Sequence, residues 1–113
     1  MLKIITTKSI VITMLTLSLF VFKAHAQEPT TIELIDDAKV FAQYDDEKPF
    51  VANYFTAHSE QEIIDFYKEK YGEIVSQERK RERLTVKFTQ PENNIRIIIS
   101  QQDAKHQVDL LIN

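Results

Sequence analysis

Three stretches near the C-terminus alternate apolar and polar residues with period two, and they leave few folds open to this chain. Residues 83–90 put Leu84, Val86 and Phe88 on one side and Thr85, Lys87 and Thr89 on the other. Residues 95–101 put Ile95, Ile97 and Ile99 inward, and residues 107–112 do the same with Val108, Leu110 and Ile112. Successive side chains of a strand point to opposite faces, so this pattern marks strands that cover a core on one side. Turn-forming stretches separate them, Pro91-Glu92-Asn93-Asn94 and Asp103-Ala104-Lys105-His106.

Upstream, residues 39–44 (KVFAQY) and 50–56 (FVANYFT) are rich in aromatic and β-branched residues and flank the polar stretch Asp45-Asp46-Glu47-Lys48-Pro49. That arrangement reads as a β-hairpin. A helix follows. Ser59-Glu60-Gln61-Glu62 is a capping box, in which the Ser59 hydroxyl accepts from the Glu62 N–H and the Glu62 carboxylate reaches back to the Ser59 N–H. Ile63, Phe66, Tyr67 and Tyr71 recur at helical spacing, with Ile64 on the edge of that face. Gly72, the single glycine of the chain, stands where a helix stop needs a left-handed residue. The helix is expected over residues 60–71. Residues 73–80 form a weaker, mostly polar strand. The expected fold is α+β, a single antiparallel sheet of about five strands in the order β-β-α-β-β-β with one helix packed on one face.

The N-terminus reads differently. Lys3 and Lys8 precede an uncharged run of 13 residues, Ile10 to Phe22, and Ala24-His25-Ala26 places small residues before a cut at Gln27. This is the pattern of a secretory signal peptide, and the run is short of the ~20 residues a spanning helix needs. The expected division is a signal peptide over 1–26, a flexible leader over 27–35 and one domain over 36–113. The product is then periplasmic or secreted. Cysteine is absent, so neither a disulfide nor a lipid attachment after the signal is available, and a soluble product without a stable membrane anchor is expected. All 17 acidic residues lie after residue 26 with 11 of the 14 Lys and Arg, leaving about −6 there. An acidic domain is a poor ligand for nucleic acid.

Catalytic patterns are thin. His58 precedes the helix cap and His106 falls in a turn, both positions usually exposed, and no metal-ligand spacing links them. Asp36-Asp37 and Asp45-Asp46-Glu47 lack the alternation and glycine of a calcium loop and read as solvated turns. No catalytic residue, cofactor or metal is expected. Two features point to binding instead. Ile98 and Leu111 face away from the inward residues of their own strands, joined there by either Phe41 or its neighbours and by either Val51 and Phe55 or Phe50 and Tyr54. Exposed apolar patches on small domains mark partner surfaces, unless residues 32–35 fold over them. Glu78-Arg79-Lys80-Arg81-Glu82-Arg83 forms a positive spot at a hairpin tip, suited to an acidic partner or an anionic glycan or lipid. The expected contact surface is Phe55, Ile98 and Leu111 with Arg79, Lys80, Arg81 and Arg83 as its rim.

At Asp37-Ala38-Lys39-Val40, Val51-Ala52-Asn53-Tyr54-Phe55-Thr56 and Ile63-Ile64-Asp65-Phe66-Tyr67-Lys68 the chain resembles small exported proteins of Gram-negative bacteria. Those share a strand pair, a helix with a Phe-Tyr-Lys-type motif and a closing three-stranded meander. The resemblance covers most of residues 36–112. It implies this fold and an envelope location, and supplies no activity or catalytic residue. The expectation for function is a non-catalytic exported binding or accessory protein, acting on a protein partner or on itself. The alternatives are a small periplasmic enzyme using His58 or acidic residues, and a structural homodimer.

Overall fold

Six strands hydrogen-bond into one antiparallel sheet in a computed structural model that describes residues 29–113. The elements are β1 (Lys39–Tyr44), β2 (Phe50–Thr56), α1 (Glu60–Tyr71), β3 (Ile74–Lys80), β4 (Arg83–Gln90), β5 (Asn93–Gln102) and β6 (Lys105–Ile112). The sheet order is β1-β2-β6-β5-β4-β3. The expected order counts about five strands, but all six runs that read as strands in the sequence are present, including the polar run after the helix, which pairs with β4 from Ile74 to Lys80. The expected signal peptide, 1–26, lies outside the described residues. Among the described residues no helix is long and apolar enough to cross a membrane.

The alternation settles the faces as expected. Leu84, Val86, Phe88, Ile95, Ile97, Ile99, Val108, Leu110 and Ile112 are all buried on the helix side. Each such side chain contributes about 1.5–3 kcal/mol relative to exposure. The links are tighter than expected. Pro91-Glu92 and Asp103-Ala104 are the whole turns, and Asn93, Asn94, Lys105 and His106 belong to strands. In the β1–β2 hairpin Tyr54 faces the core, while Val51 and Phe55 lie on the outer face.

Helix α1 crosses the inner face and carries the chain from β2 in the interior of the sheet to β3 at its far edge. The capping box forms, with the Glu62 N–H donating to Ser59 Oγ (3.2 Å) and the Ser59 N–H to Glu62 Oε1 (2.9 Å). Gly72 closes the helix at φ 98° and its N–H donates to the Lys68 carbonyl (2.9 Å). The buried face is Ile63, Ile64, Tyr67 and Tyr71. Ile64 is thus core, and Phe66 takes the edge, half-buried, with its ring packed edge-on against Tyr67 at 4.9 Å and the Lys70 ammonium 5.6 Å above it.

The described part of the expected leader is packed. Thr30 and Ile35 are buried, and Ile32 and Leu34 lie against the core. An irregular segment has backbone groups without ladder partners, and tyrosine hydroxyls supply them. Tyr67 Oη donates to the Glu33 carbonyl (2.8 Å), Tyr71 Oη donates to the Thr31 carbonyl (2.7 Å), and the Glu33 N–H donates to Tyr71 Oη (3.1 Å). Gln90 links Thr30 to the helix end, accepting from Thr30 Oγ1 (2.6 Å) and donating to the Tyr71 carbonyl (3.3 Å). Packing thus begins at Thr30 rather than at Asp36. This segment lies on the helix side, so it does not fold over Ile98 and Leu111.

Candidate functional site

The strand register arranges the outer face into rows that cross the sheet. One runs Tyr44, Val51, Leu111, Arg96, Lys87, Ser76. The next runs Ala42, Asn53, Asp109, Ile98, Thr85, Glu78. The third runs Lys39, Phe55, Gln107, Ser100, Arg83, Lys80. A register shift between Val40 and Ala42 leaves Phe41 unpaired, and its ring packs on Phe55 with centroids 4.9 Å apart. Phe41 remains 53% exposed and Tyr44 69%.

The expected contact residues Phe55, Ile98 and Leu111 do share this face, each half-buried. They do not form one patch. Asn53 donates to Asp109 Oδ1 (2.7 Å) and Gln107 donates to the same oxygen (3.0 Å). That polar bridge separates the Phe41–Phe55 pair from the Tyr44–Val51–Leu111 row and leaves Ile98 beyond it. Phe50, the other option at the strand pair, packs against the core instead.

The expected rim is only partly assembled. Lys80 and Arg83 lie opposite each other on the outer face, with Arg81 at the turn between them (φ 59°). Arg79 departs from the group. It pairs with Leu84, which faces the core, so its side chain points to the helix side and forms an ion pair with Glu60 in the first turn of α1. That hydrogen bond raises the Arg79 pKa. Two cations missed by the sequence reading take its place: Lys87 and Arg96, directly opposed across β4 and β5. The signal that would have found them is turn length. A two-residue turn at Pro91-Glu92 sets Lys87 against Arg96, whereas a four-residue turn would set it against Ile98.

A second cluster surrounds His58, where the β2–α1 link meets the segment before β1. The His58 Nε2–H donates to Asp36 Oδ1 (2.7 Å), and Asp37 Oδ1 lies 3.8 Å away. On the other side of the ring, Nδ1 is 3.5 Å from Glu62 Oε1. Asp37 is no freely solvated turn residue, since it accepts from Thr56 Oγ1 and from the Ala57 N–H (3.0 Å). His106 is not in a turn either. It lies on β6, half-buried, and its Nδ1–H donates to the His58 carbonyl (2.9 Å). The hydrogen bond to Asp36 raises the His58 pKa. The Thr56 hydroxyl lowers that of Asp37, and the Ser59 N–H lowers that of Glu62.

Asp36, Asp37 and His58 offer three ligand-type atoms within 4.8 Å of one another, so these are the described residues with the donor set for a metal ion. Each is already engaged otherwise. The contacts tie three chain segments together at the surface, with the Asp36 side chain 83% exposed and the His58 ring half-buried at 29%. Sequence spacing separates Asp36 from His58 by 22 residues, which hid the cluster from the sequence reading.

Comparison with protein families, with curated proteins and with solved structures returned no match.

Proposed function

We propose that the chain is a non-catalytic exported protein of the bacterial envelope that binds a partner through the outer face of its sheet. One observation carries this reading. The helix and residues 30–35 both pack on the inner face, while Phe41, Tyr44, Val51, Phe55, Ile98 and Leu111 stay on the outer face with no described element across them. A half-wet sheet places polar residues at such positions, and apolar groups divided by the polar bridge at Asp109 suit a contact surface of mixed character. The pattern of residues 1–26 supports export. Soluble envelope extract passed over immobilised wild type and over Ile98→Asp tests the proposal. Partner recovery by wild type and loss with the folded variant is the expected result. Equal recovery by both rejects this surface, and a concentration-dependent dimer in light scattering with no other partner points to a structural homodimer.

One arrangement favours a second reading, a small enzyme working through His58. The imidazole lies between carboxylates, and its hydrogen bond to Asp36 raises its pKa, as at sites where a histidine carries a proton. The exposure of Asp36 to water argues against strong acid–base catalysis, which gains from desolvation. Turnover of a small metabolite that disappears in His58→Ala would move the assignment to this cluster.

A further inference from the structure

Two pairs of like charges face each other on the outer side of the sheet. Lys80 lies directly opposite Arg83, and Lys87 directly opposite Arg96. Like charges in opposed cross-strand positions destabilise a sheet. None of the four forms an ion pair with a described carboxylate. Two acids share the face with them. Asp109 is occupied by Asn53 and Gln107, and Glu78 lies in the edge strand opposite Thr85.

Each pair borders its own depression. Lys80 and Arg83, with Arg81 and the acidic Glu82, line one of about 790 Å³ that Ser100 to Gln102 also border, so three cations stand against one acid there. Lys87 and Arg96 line one of about 380 Å³ together with the exposed Val75. Arg83 and Lys87 are four residues apart on one strand, roughly 14 Å at 3.4 Å per residue. Thr85 and Ile98 fill the row between.

We propose that this half of the outer face docks an acidic polypeptide, whose carboxylates sit over the two cation pairs and whose apolar side chain covers Ile98. The proposal rests on the reading of the outer face as the contact surface and adds the chemistry of the partner. Guanidinium groups hold carboxylates in two-point contacts, and a partner's anions relieve the repulsion within each pair. The distance between pairs matches residues i and i+4 of an extended chain. Ile98 and Val75 beside the cations call for apolar side chains, which an anionic glycan lacks. Symmetric pairing of this half with itself would set cations against cations.

Biolayer interferometry on the purified protein tests this with three probes: a random copolymer of glutamate and tyrosine, dextran sulfate and phosphatidylglycerol vesicles. Wild type should prefer the copolymer, which carries both carboxylates and apolar rings, and release it as salt rises. Lys87→Glu should weaken that binding about tenfold. It should also raise the melting temperature, because its pair with Arg96 becomes one of opposite charges. Lys68→Glu, an equal charge change on an exposed helix position, should leave the binding unchanged. A variant that is more stable and binds less separates docking from a structural role. Absence of copolymer binding, preference for either other probe, or equal loss in the two variants overturns the proposal. If the acidic probe fails while partner recovery still depends on Ile98, the contact surface stands and only its acidic partner falls.

Discussion

Tyr67 has one proton to give and two neighbours to satisfy. Its hydroxyl donates to the Glu33 carbonyl, so the 2.9 Å contact with Tyr54 Oη must be donated by Tyr54. Burial pushes the Tyr54 pKa up to about 12 and raises those of Tyr67 and Tyr71 as well, which keeps all three as donors at any ordinary pH. The two hydroxyls are therefore unequal. Tyr54→Phe removes one bond and should cost about 0.5–1.5 kcal/mol, whereas Tyr67→Phe strands the Glu33 carbonyl and the Tyr54 hydroxyl and should cost about 1–3 kcal/mol. Urea unfolding of the two variants checks the order. His58 gives a prediction in pH. Its pKa is raised on folding, so its stabilising effect is complete below the ordinary 6.5 and is lost as pH climbs through the higher folded value. Asp37 and Glu62 are lowered, so theirs is complete above 3.8 and 4.5 and is lost as pH falls through the folded values. The cluster is tightest between pH 4.5 and 6.5. The melting temperature of wild type should decline above that window, and His58→Gln should flatten the decline.

Among the elements, α1 was the most legible because its ends are written in side-chain chemistry. Ser59, Glu62 and Gly72 act within one turn of their own positions, and each appears where the sequence set it. Gly72 has φ 98° and ψ −151°, a region nearly closed to other residues, although an added Cβ would meet nothing within 4 Å. Gly72→Ala should therefore cost about 1–3 kcal/mol through backbone strain alone. Circular dichroism melts comparing it with Ser59→Ala, a loss of about 1 kcal/mol, would show whether conformation or capping weighs more at the helix ends. The strands were legible in their faces and not in their lengths. Alternation places Val86 and Ile97 inward whatever the turn, but pairing depends on how many residues the turn consumes. The extension of β5 to Asn93 and of β6 to Lys105 pairs Lys87 with Arg96 and puts His106 within reach of His58. Contacts set by the register of distant strands, or joining Asp36 to His58, leave no local mark on the sequence.

For the molecule as a whole, the two faces of the sheet divide the labour. The inner face holds the helix and the segment from Thr30 to Ile35, and the outer face carries the uncovered aromatic and cationic side chains. Read locally, that segment resembled a leader, because Ile32, Leu34 and Ile35 follow no period and the hydrogen-bond partner of Glu33 and Thr31, Tyr71, lies 38 and 40 residues ahead. Its packing predicts a large effect of truncation. A domain of this size is held by about 0.05–0.15 kcal/mol per residue, so a few kcal/mol decide whether it folds. Removing residues up to Ile35 exposes the core beneath Ile35, which alone contributes about 1.5–3 kcal/mol. It also leaves the hydroxyls of Tyr67 and Tyr71 without their carbonyls, at roughly 1 kcal/mol each. A chain starting at Asp36 should therefore unfold at a much lower urea concentration than one starting at Gln27. Tyrosine fluorescence and near-ultraviolet dichroism would follow the change, since Tyr67 and Tyr71 stack at 5.6 Å beneath that segment. Equal midpoints for the two chains would mean that the tyrosine clamp contributes nothing and that the sheet and helix stand without it.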